Sequence, residues 1–251
     1  MAHEAQKKFC RRVIGEISLP RGAKVLDIGS LDINGGAREW LPLSIPYIGV
    51  DLELGPNVDV ACPAQLLDFK SHEFDLVIAS EVFEHTPYWK EIFAQMCRMT
   101  KPGGAVLITC ATTGRLEHGT TRSDNGYAAP FVVNQHEYYR NVSLRQAKNA
   151  IATDYWFSYF GFYQEHTSKD LYFIGIINSP ENSPEIRGLI ATLRKIYPYQ
   201  WWRVANILSF VHLEKQMEWL FIPIIYNRFL YSIYVQFGIK KIRDQLRSVR
   251  N

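Results

Sequence analysis

The chain is 251 residues long, 47% hydrophobic and 21% charged, with a formal net charge of +3. That length accommodates one large domain, or a domain of about 150 residues with an appendage, and the apolar fraction excludes wholesale disorder. The charge is too small to call for a nucleic-acid partner and is unevenly placed: from Pro180 onward eleven Lys and Arg face five Asp and Glu, so the preceding residues are net acidic.

Cys10, Cys62, Cys97 and Cys110 are widely spread, without a C-x-x-C pair, and read as reduced thiols of a cytosolic protein rather than a disulfide frame or a metal site. The N-terminal "MAHEAQKKFCRR" has no apolar signal-peptide segment. The greasiest stretch, "WLFIPIIYNRFLYSIYVQF", is broken by Pro223 and Arg228 and falls short of the ~18 uncharged apolar residues of a membrane span.

In chain order, "EAQKKFCRRVIGEI" spaces Phe9, Val13 and Ile17 four apart and predicts an amphipathic helix. Five short apolar runs follow: 24–29, 47–51, 57–61, 74–80 and 105–111. Most are continuously apolar, as strands buried on both faces must be, which argues for a largely parallel sheet flanked by helices. After the first run, "INGGAREW" predicts a loop leading into a helix. Between the fourth and fifth, "YWKEIFAQMCRM" predicts a second helix, with "KPGG" stopping it and turning the chain into the next strand. Residues 112–131 form a loop too long for a simple connection, which marks it as functional or disordered. "SLRQAKNAIA" then predicts a helix, and "WFSYFGFYQEH" with "DLYFIGII" an antiparallel pair closing the sheet edge. The expectation is an α/β, Rossmann-like, doubly wound and mostly parallel seven-stranded sheet over residues 1–178, with a helical, basic and aromatic C-terminal extension over 179–251.

Ligands of such sheets lie beyond the carboxyl ends of the strands. The first strand ends in Asp27-Ile28-Gly29-Ser30 before Asn34-Gly35-Gly36, and the second ends in Asp51-Leu52, where an acid can accept both hydroxyls of a ribose. Leu31 and Ile33 stand where a dinucleotide's pyrophosphate would require close backbone approach, so a ligand with ribose and adenine but no pyrophosphate fits better than NAD.

The ordered set "VLDIGS…NGG", "YIGVDLELGPNVDV", "FDLVIASEVFEH" and "MTKPGGAVLITCATTGRLEHGT" closely resembles class I S-adenosylmethionine-dependent methyltransferases of the type-11-like group, over roughly residues 20–177. The resemblance implies S-adenosyl-L-methionine as cofactor. It also implies that Asp27, Gly29, Ser30 and Gly35 cradle the methionine part, Asp51 with Leu52 meets the ribose, and Ser80 with Glu81 holds the amino-acid moiety. One departure is that the acid such proteins commonly place after the third strand, for the adenine amino group, is replaced here by Cys62-Pro63. Either a backbone carbonyl or Gln65 takes its place, or cofactor affinity is weaker.

Methyl transfer to a hydroxyl needs an in-line acceptor and a base, and histidine suits the base because its ordinary pKa is about 6.5. His85, after the fourth strand, and His118, after the fifth, are the candidates; the bland alternatives are a loop hydrogen bond and a scaffold contact. Tyr138, Tyr139 and Arg140 are candidates for an acceptor wall. No Asp/His/Glu set at metal-ligand spacing stands out, so no metal is expected.

In the extension, "GIKKIRDQLRSVR" puts Ile239, Ile242, Leu246 and Val249 on one face and cations on the other. Such a helix can rest on an anionic membrane surface, cover an acidic substrate or a partner, or pack with a solvated face. The expected function is S-adenosylmethionine-dependent O-methylation of a small-molecule or saccharide-type acceptor in the cytoplasm, with peripheral membrane contact left open. The rivals are a non-catalytic cofactor-binding or scaffold protein and, less favoured, an NAD-dependent oxidoreductase.

Overall fold

A computed structural model describes residues 3–17, 19–123, 131–151 and 155–179, together with Gly188 and Ala191. Helix α1 (Glu4–Ile17) is followed by strands β1 (Val25–Ile28), β2 (Tyr47–Asp51), β3 (Val60–Ala61) and β4 (Phe74–Ser80). Then come α2 (Trp89–Met99), β5 (Thr100–Ala111), a small hairpin of β6 (Val132–Val133) and β7 (His136–Glu137), α3 (Leu144–Ile151), β8 (Phe157–Glu165) and β9 (Asp170–Ile177).

Seven strands form one sheet in the order β3-β2-β1-β4-β5-β9-β8. The pairs from β3 to β5 are parallel, and β9 joins β5 antiparallel, with β8 antiparallel at the edge. The continuously apolar runs are explained by two-sided burial, because successive residues serve opposite faces. Val25, Leu76, Ile78 and Leu107 pack with Phe9, Val13 and Ile14 of α1. Leu26, Ile28, Val77 and Val106 pack with Ile92, Phe93 and Met96 of α2 and with Ala147 and Ile151 of α3.

Three local expectations are corrected. Residues 37–40 make only a four-residue 3-10 turn instead of a helix, because Pro42 and Pro46 follow and cannot extend one. The third strand shrinks to Val60–Ala61, since Asn57 sits at φ 65° in a turn and only Val50 and Asp51 are left to pair. The "KPGG" segment does not separate helix from strand but lies inside β5 as an irregularity: Phe74 pairs with Thr100 and Leu76 with Ala105, so the intervening residues bulge from the ladder.

All four cysteines are free thiols. Among the described residues no helix is long and apolar enough to cross a membrane. The expected domain boundary at 178 and the helical C-terminal extension lie at the edge of the described residues or outside them.

Candidate active site

The strand order reverses between β1 and β4, and a cleft opens there beyond their carboxyl ends, where the connections leave in opposite directions. It encloses about 1020 Å³, part of it open to solvent. Asp27, Gly29, Ser30, Gly35, Asp51, Leu52, Ser80 and Glu81, the residues expected to hold a cofactor, all line it, as does His85.

The β1 loop is shaped by its glycines and braced by its acids. Gly29 has φ +76°, and a β-carbon there would stand 2.2 Å from Cγ2 of Val82; only glycine meets both demands. Gly35, at φ +93°, donates its amide to Asp32 Oδ1 at 2.8 Å, and Asn57 Nδ2 donates to Asp32 Oδ2 at 3.2 Å. From α1, Lys7 Nζ donates to the Asn34 carbonyl at 2.6 Å, and Gln6, fully buried, reaches the cleft wall.

Two aspartates behave differently. Asp51 accepts the Leu31 amide on Oδ2 at 3.0 Å and the Leu52 amide on Oδ1 at 2.7 Å. Burial raises its pKa while those amides pull it back. Asp27 accepts the Tyr47 hydroxyl on Oδ2 at 2.8 Å, and its Oδ1 is buried without a partner among the described residues. Burial pushes Asp27 up to about 7 against the pull of that hydroxyl. Asp59 spends Oδ2 on the Gly49 amide at 2.8 Å, a bond within the sheet edge. In place of the acid missing after the third strand, Cys62, Ala64 and Gln65 form that wall of the cleft.

The fit to a methyl donor is tested by unpaired polar atoms. Asp27 Oδ1 and Ser30 Oγ are buried along this cleft without partners among the described residues, and Ser80 and Glu81 have only Cys10 and Thr109 beside them, although buried polar groups in folded proteins are rarely left so. They suit a ligand with a ribose, an ammonium and a carboxylate. The 3-10 turn at 37–40 offers no helix N-terminus to a pyrophosphate, and Leu31 and Ile33 occupy the wall instead.

The far end of the cleft holds the histidines. His85 lines it; His118 does not, but its ring lies 5.6 Å from that of His85, nearly perpendicular. His118 Nε2 is 3.8 Å from Glu81 Oε2 and 3.7 Å from Glu84 Oε1. Its Nδ1 shares a 2.9 Å hydrogen bond with the Tyr139 hydroxyl, which also donates to the Leu116 carbonyl at 3.1 Å. Burial lowers His85 to about 3 and His118 to about 4. It raises both glutamates, with the charge of Glu84 adding to the effect on Glu81. At neutral pH the cluster therefore holds neutral imidazoles.

Of the expected acceptor wall, Tyr139 reaches the histidines, whereas Tyr138 and Arg140 are fixed through their backbones. The Tyr138 amide donates to the Phe131 carbonyl at 2.7 Å, and the exposed Arg140 donates its amide to the Glu84 carbonyl at 2.8 Å. None of the three lines the cleft itself. Sequence spacing missed Glu84, which is fully buried and accepts the Ala111 amide at 3.0 Å, and Gln6, Thr86 and Phe131, which line the cleft. A signal for Glu84 existed in "EVFEH", where two acids and a histidine follow a strand within five residues.

A family model described as a methyltransferase domain matches residues 1–151. The chain belongs to this methyltransferase-domain family, and S-adenosylmethionine is its cofactor. An uncharacterized methyltransferase of Mycobacterium marinum is 29% identical over 105 residues, covering 36% of this chain and 41% of that protein. Phosphoethanolamine N-methyltransferase 2 of Caenorhabditis elegans is 31% identical over 104 residues, covering 35% of this chain and 24% of that protein. The chain thus spans less than half the length of either relative. Among solved structures, 1,6-didemethyltoxoflavin-N1-methyltransferase of Burkholderia thailandensis, with 1,6-didemethyltoxoflavin and S-adenosylhomocysteine bound, is similar at 16% identity and a TM-score of 0.47, covering 68% of this chain and 76% of that one.

Proposed function

We propose that the chain catalyses S-adenosylmethionine-dependent methylation of a hydroxyl on a small-molecule or saccharide-type acceptor. The observation that carries this reading is one continuous cleft with Asp27, Gly29 and Asp51 at one end and Glu81 and His85 at the other. When bound, the cofactor supplies an electrophilic methyl group on a sulfonium.

The chain's own residues bind, orient and exclude water. Asp51 receives the ribose hydroxyls with the lone pairs its two amide bonds leave over, and Gln65 offers its side-chain amide to the adenine in place of the absent acid. Ser30, Ser80 and Glu81 meet the amino-acid moiety. Thr86, Phe131 and Trp40 wall the cleft against solvent. The acceptor lies against His85 and the cluster behind it, where the neutral imidazole of His85, or of His118 one ring further back, can accept a hydrogen bond from the acceptor hydroxyl and orient it, while burial makes either a weaker base than a free imidazole.

Calorimetric titration with S-adenosylhomocysteine, followed by a screen of sugars and small phenols for S-adenosylhomocysteine release, tests the reading. Turnover with any acceptor excludes the non-catalytic alternative. Transfer from a ¹³C-methyl donor then identifies the attacked atom, because O-methyl and N-methyl carbons resonate apart. Binding of NAD in preference to S-adenosylhomocysteine would overturn the assignment.

A further inference from the structure

Behind the cleft, four side chains turn more polar atoms toward one another than they have partners for. Oε2 of Glu84, Nδ1 of His85 and Nε2 of His118 are buried with no hydrogen-bond partner among the described residues, and the buried Glu81 carboxyl beside them is met by Thr109. The Glu81 and Glu84 side chains are 4% and 0% exposed, His118 is 12% exposed, and the whole His85 residue is 8% exposed. Glu84, His85 and His118 each place one potential ligand atom within 4.8 Å of the others. Glu81 has a carboxylate oxygen 3.8 Å from His118 Nε2 but lies outside that set, grouping with His3 and Asp170.

Two features show that the group is built and not accidental. Glu81 sits at φ +56°, a conformation uncommon for a residue with a β-carbon, and there its carboxyl turns in from the end of β4. Two of the remaining atoms are held in place: Oε1 of Glu84, itself 3.7 Å from His118 Nε2, accepts the Ala111 amide, and Nδ1 of His118 is held by Tyr139. A ligating imidazole whose other nitrogen is tied down is how protein metal sites orient their histidines.

We propose that Glu84, His85 and His118 bind a divalent first-row transition cation, of the manganese, iron, cobalt or zinc type, with the Glu81 carboxylate beside them. The carboxylate offsets part of its charge, and two imidazoles favour these ions over magnesium or calcium, which prefer oxygen alone. Ligand atoms around such a cation lie about 2.0–2.3 Å from it, so the three atoms, now within 4.8 Å of one another, draw together as the ion binds. A six-coordinate ion keeps three positions beyond these three ligands. His85 faces the cleft, so two of those positions suit two adjacent oxygens of the acceptor, as in a vicinal diol or a hydroxy-carbonyl compound. A coordinated hydroxyl then loses its proton to water more readily, and the imidazoles serve as ligands instead of bases. The statement about the acceptor rests on the methyltransferase reading; cation binding does not.

The test is a cobalt(II) titration of the full chain after chelator treatment, followed by visible absorption, with S-adenosylhomocysteine binding measured on the same preparations. The expected result is about one cobalt per chain, displaced by zinc, with affinity at least tenfold weaker in Glu84→Gln and in His118→Gln. Glutamine at 84 keeps an oxygen for the Ala111 amide, and His118 does not line the donor cleft, so both variants should still bind S-adenosylhomocysteine. A wild-type chain that binds S-adenosylhomocysteine but takes up no cobalt overturns the proposal, as does cobalt uptake equal in wild type and both folded variants. Cobalt held by these residues without S-adenosylhomocysteine binding would sink the methyltransferase reading and leave the cation site standing.

Discussion

The Asp51 carboxylate at the end of β2 accepts the amide of Leu31 in the β1 loop over 3.0 Å, so one side chain joins two loops that line the cleft. Asp51→Ala removes this bond and, in the proposed function, the acceptor for ribose hydroxyls. Charge-assisted hydrogen bonds contribute about 1.5–3 kcal/mol each, so the affinity for S-adenosylhomocysteine should fall by roughly 100-fold or more in calorimetry. Asp51→Asn, keeping one oxygen and losing the charge, should fall by about tenfold.

Gly29→Ala should both destabilise the fold and weaken cofactor binding. The added methyl meets Val82 Cγ2 at 2.2 Å at a φ of +76°, and Val82 is β-branched with little rotamer freedom to yield. Overpacking of this kind costs typically about 1–3 kcal/mol. Thermal melts should show a lowered midpoint, partly restored in the Gly29→Ala, Val82→Ala double variant, because the clash is relieved while the backbone strain remains.

Asp27 makes the stability of the ligand-free protein fall as pH rises. Its folded pKa, about 7, lies above the ordinary 3.8, so between those values the native state holds a proton that the unfolded chain has released. Stability from this group is therefore fully present below pH 3.8 and declines until about pH 7. At about 1.4 kcal/mol per pH unit the upper bound is about 4 kcal/mol. Asp27→Asn, which still offers an oxygen to Tyr47, should unfold at higher denaturant than wild type at pH 8 and lose that advantage near pH 4. An unchanged difference between the two variants across this range would refute the assignment.

Tyr139→Phe removes the hydroxyl bridging His118 Nδ1 and the Leu116 carbonyl while keeping the ring against both histidines. Its effect should appear in kcat, reduced about 5- to 50-fold, the usual span for loss of one or two ordering hydrogen bonds of about 1 kcal/mol each. The KM for the methyl donor should stay within twofold, since Tyr139 does not line the donor cleft.

The donor end of the site was legible in the sequence because it is local. Asp27, Gly29 and Asp51 terminate apolar runs whose register is dictated by two-sided burial, and the helix over Glu4–Ile17 follows directly from its four-residue spacing. The acceptor end is long-range. Glu84 and His118 are brought together only when β4 and β5 lie side by side, and no spacing rule connects residues so far apart in the chain. For the same reason no spacing in the chain announces the group of Glu84, His85 and His118. After Gly36 the chain makes a 3-10 turn and not the helix its amphipathic pattern predicts, because Pro42 follows.

The segment from Phe131 to Val142 is fastened to the strand ends by backbone bonds: Phe131 to the His85 carbonyl, Arg140 to that of Glu84 and Val142 to that of Ala111. Between those stitches stands the β6–β7 hairpin, turned by Asn134 and Gln135 in left-handed conformations and exposing Val132. Side chains add to the fastening at Glu137, which accepts the Thr121 amide and hydroxyl at 2.8 Å, and at Tyr139, whereas the exposed, apolar Val132 and Val133 can vary without loosening it. Grafting a different hairpin turn between residues 132 and 136 should therefore leave S-adenosylhomocysteine affinity as it was, because none of these residues lines the cleft.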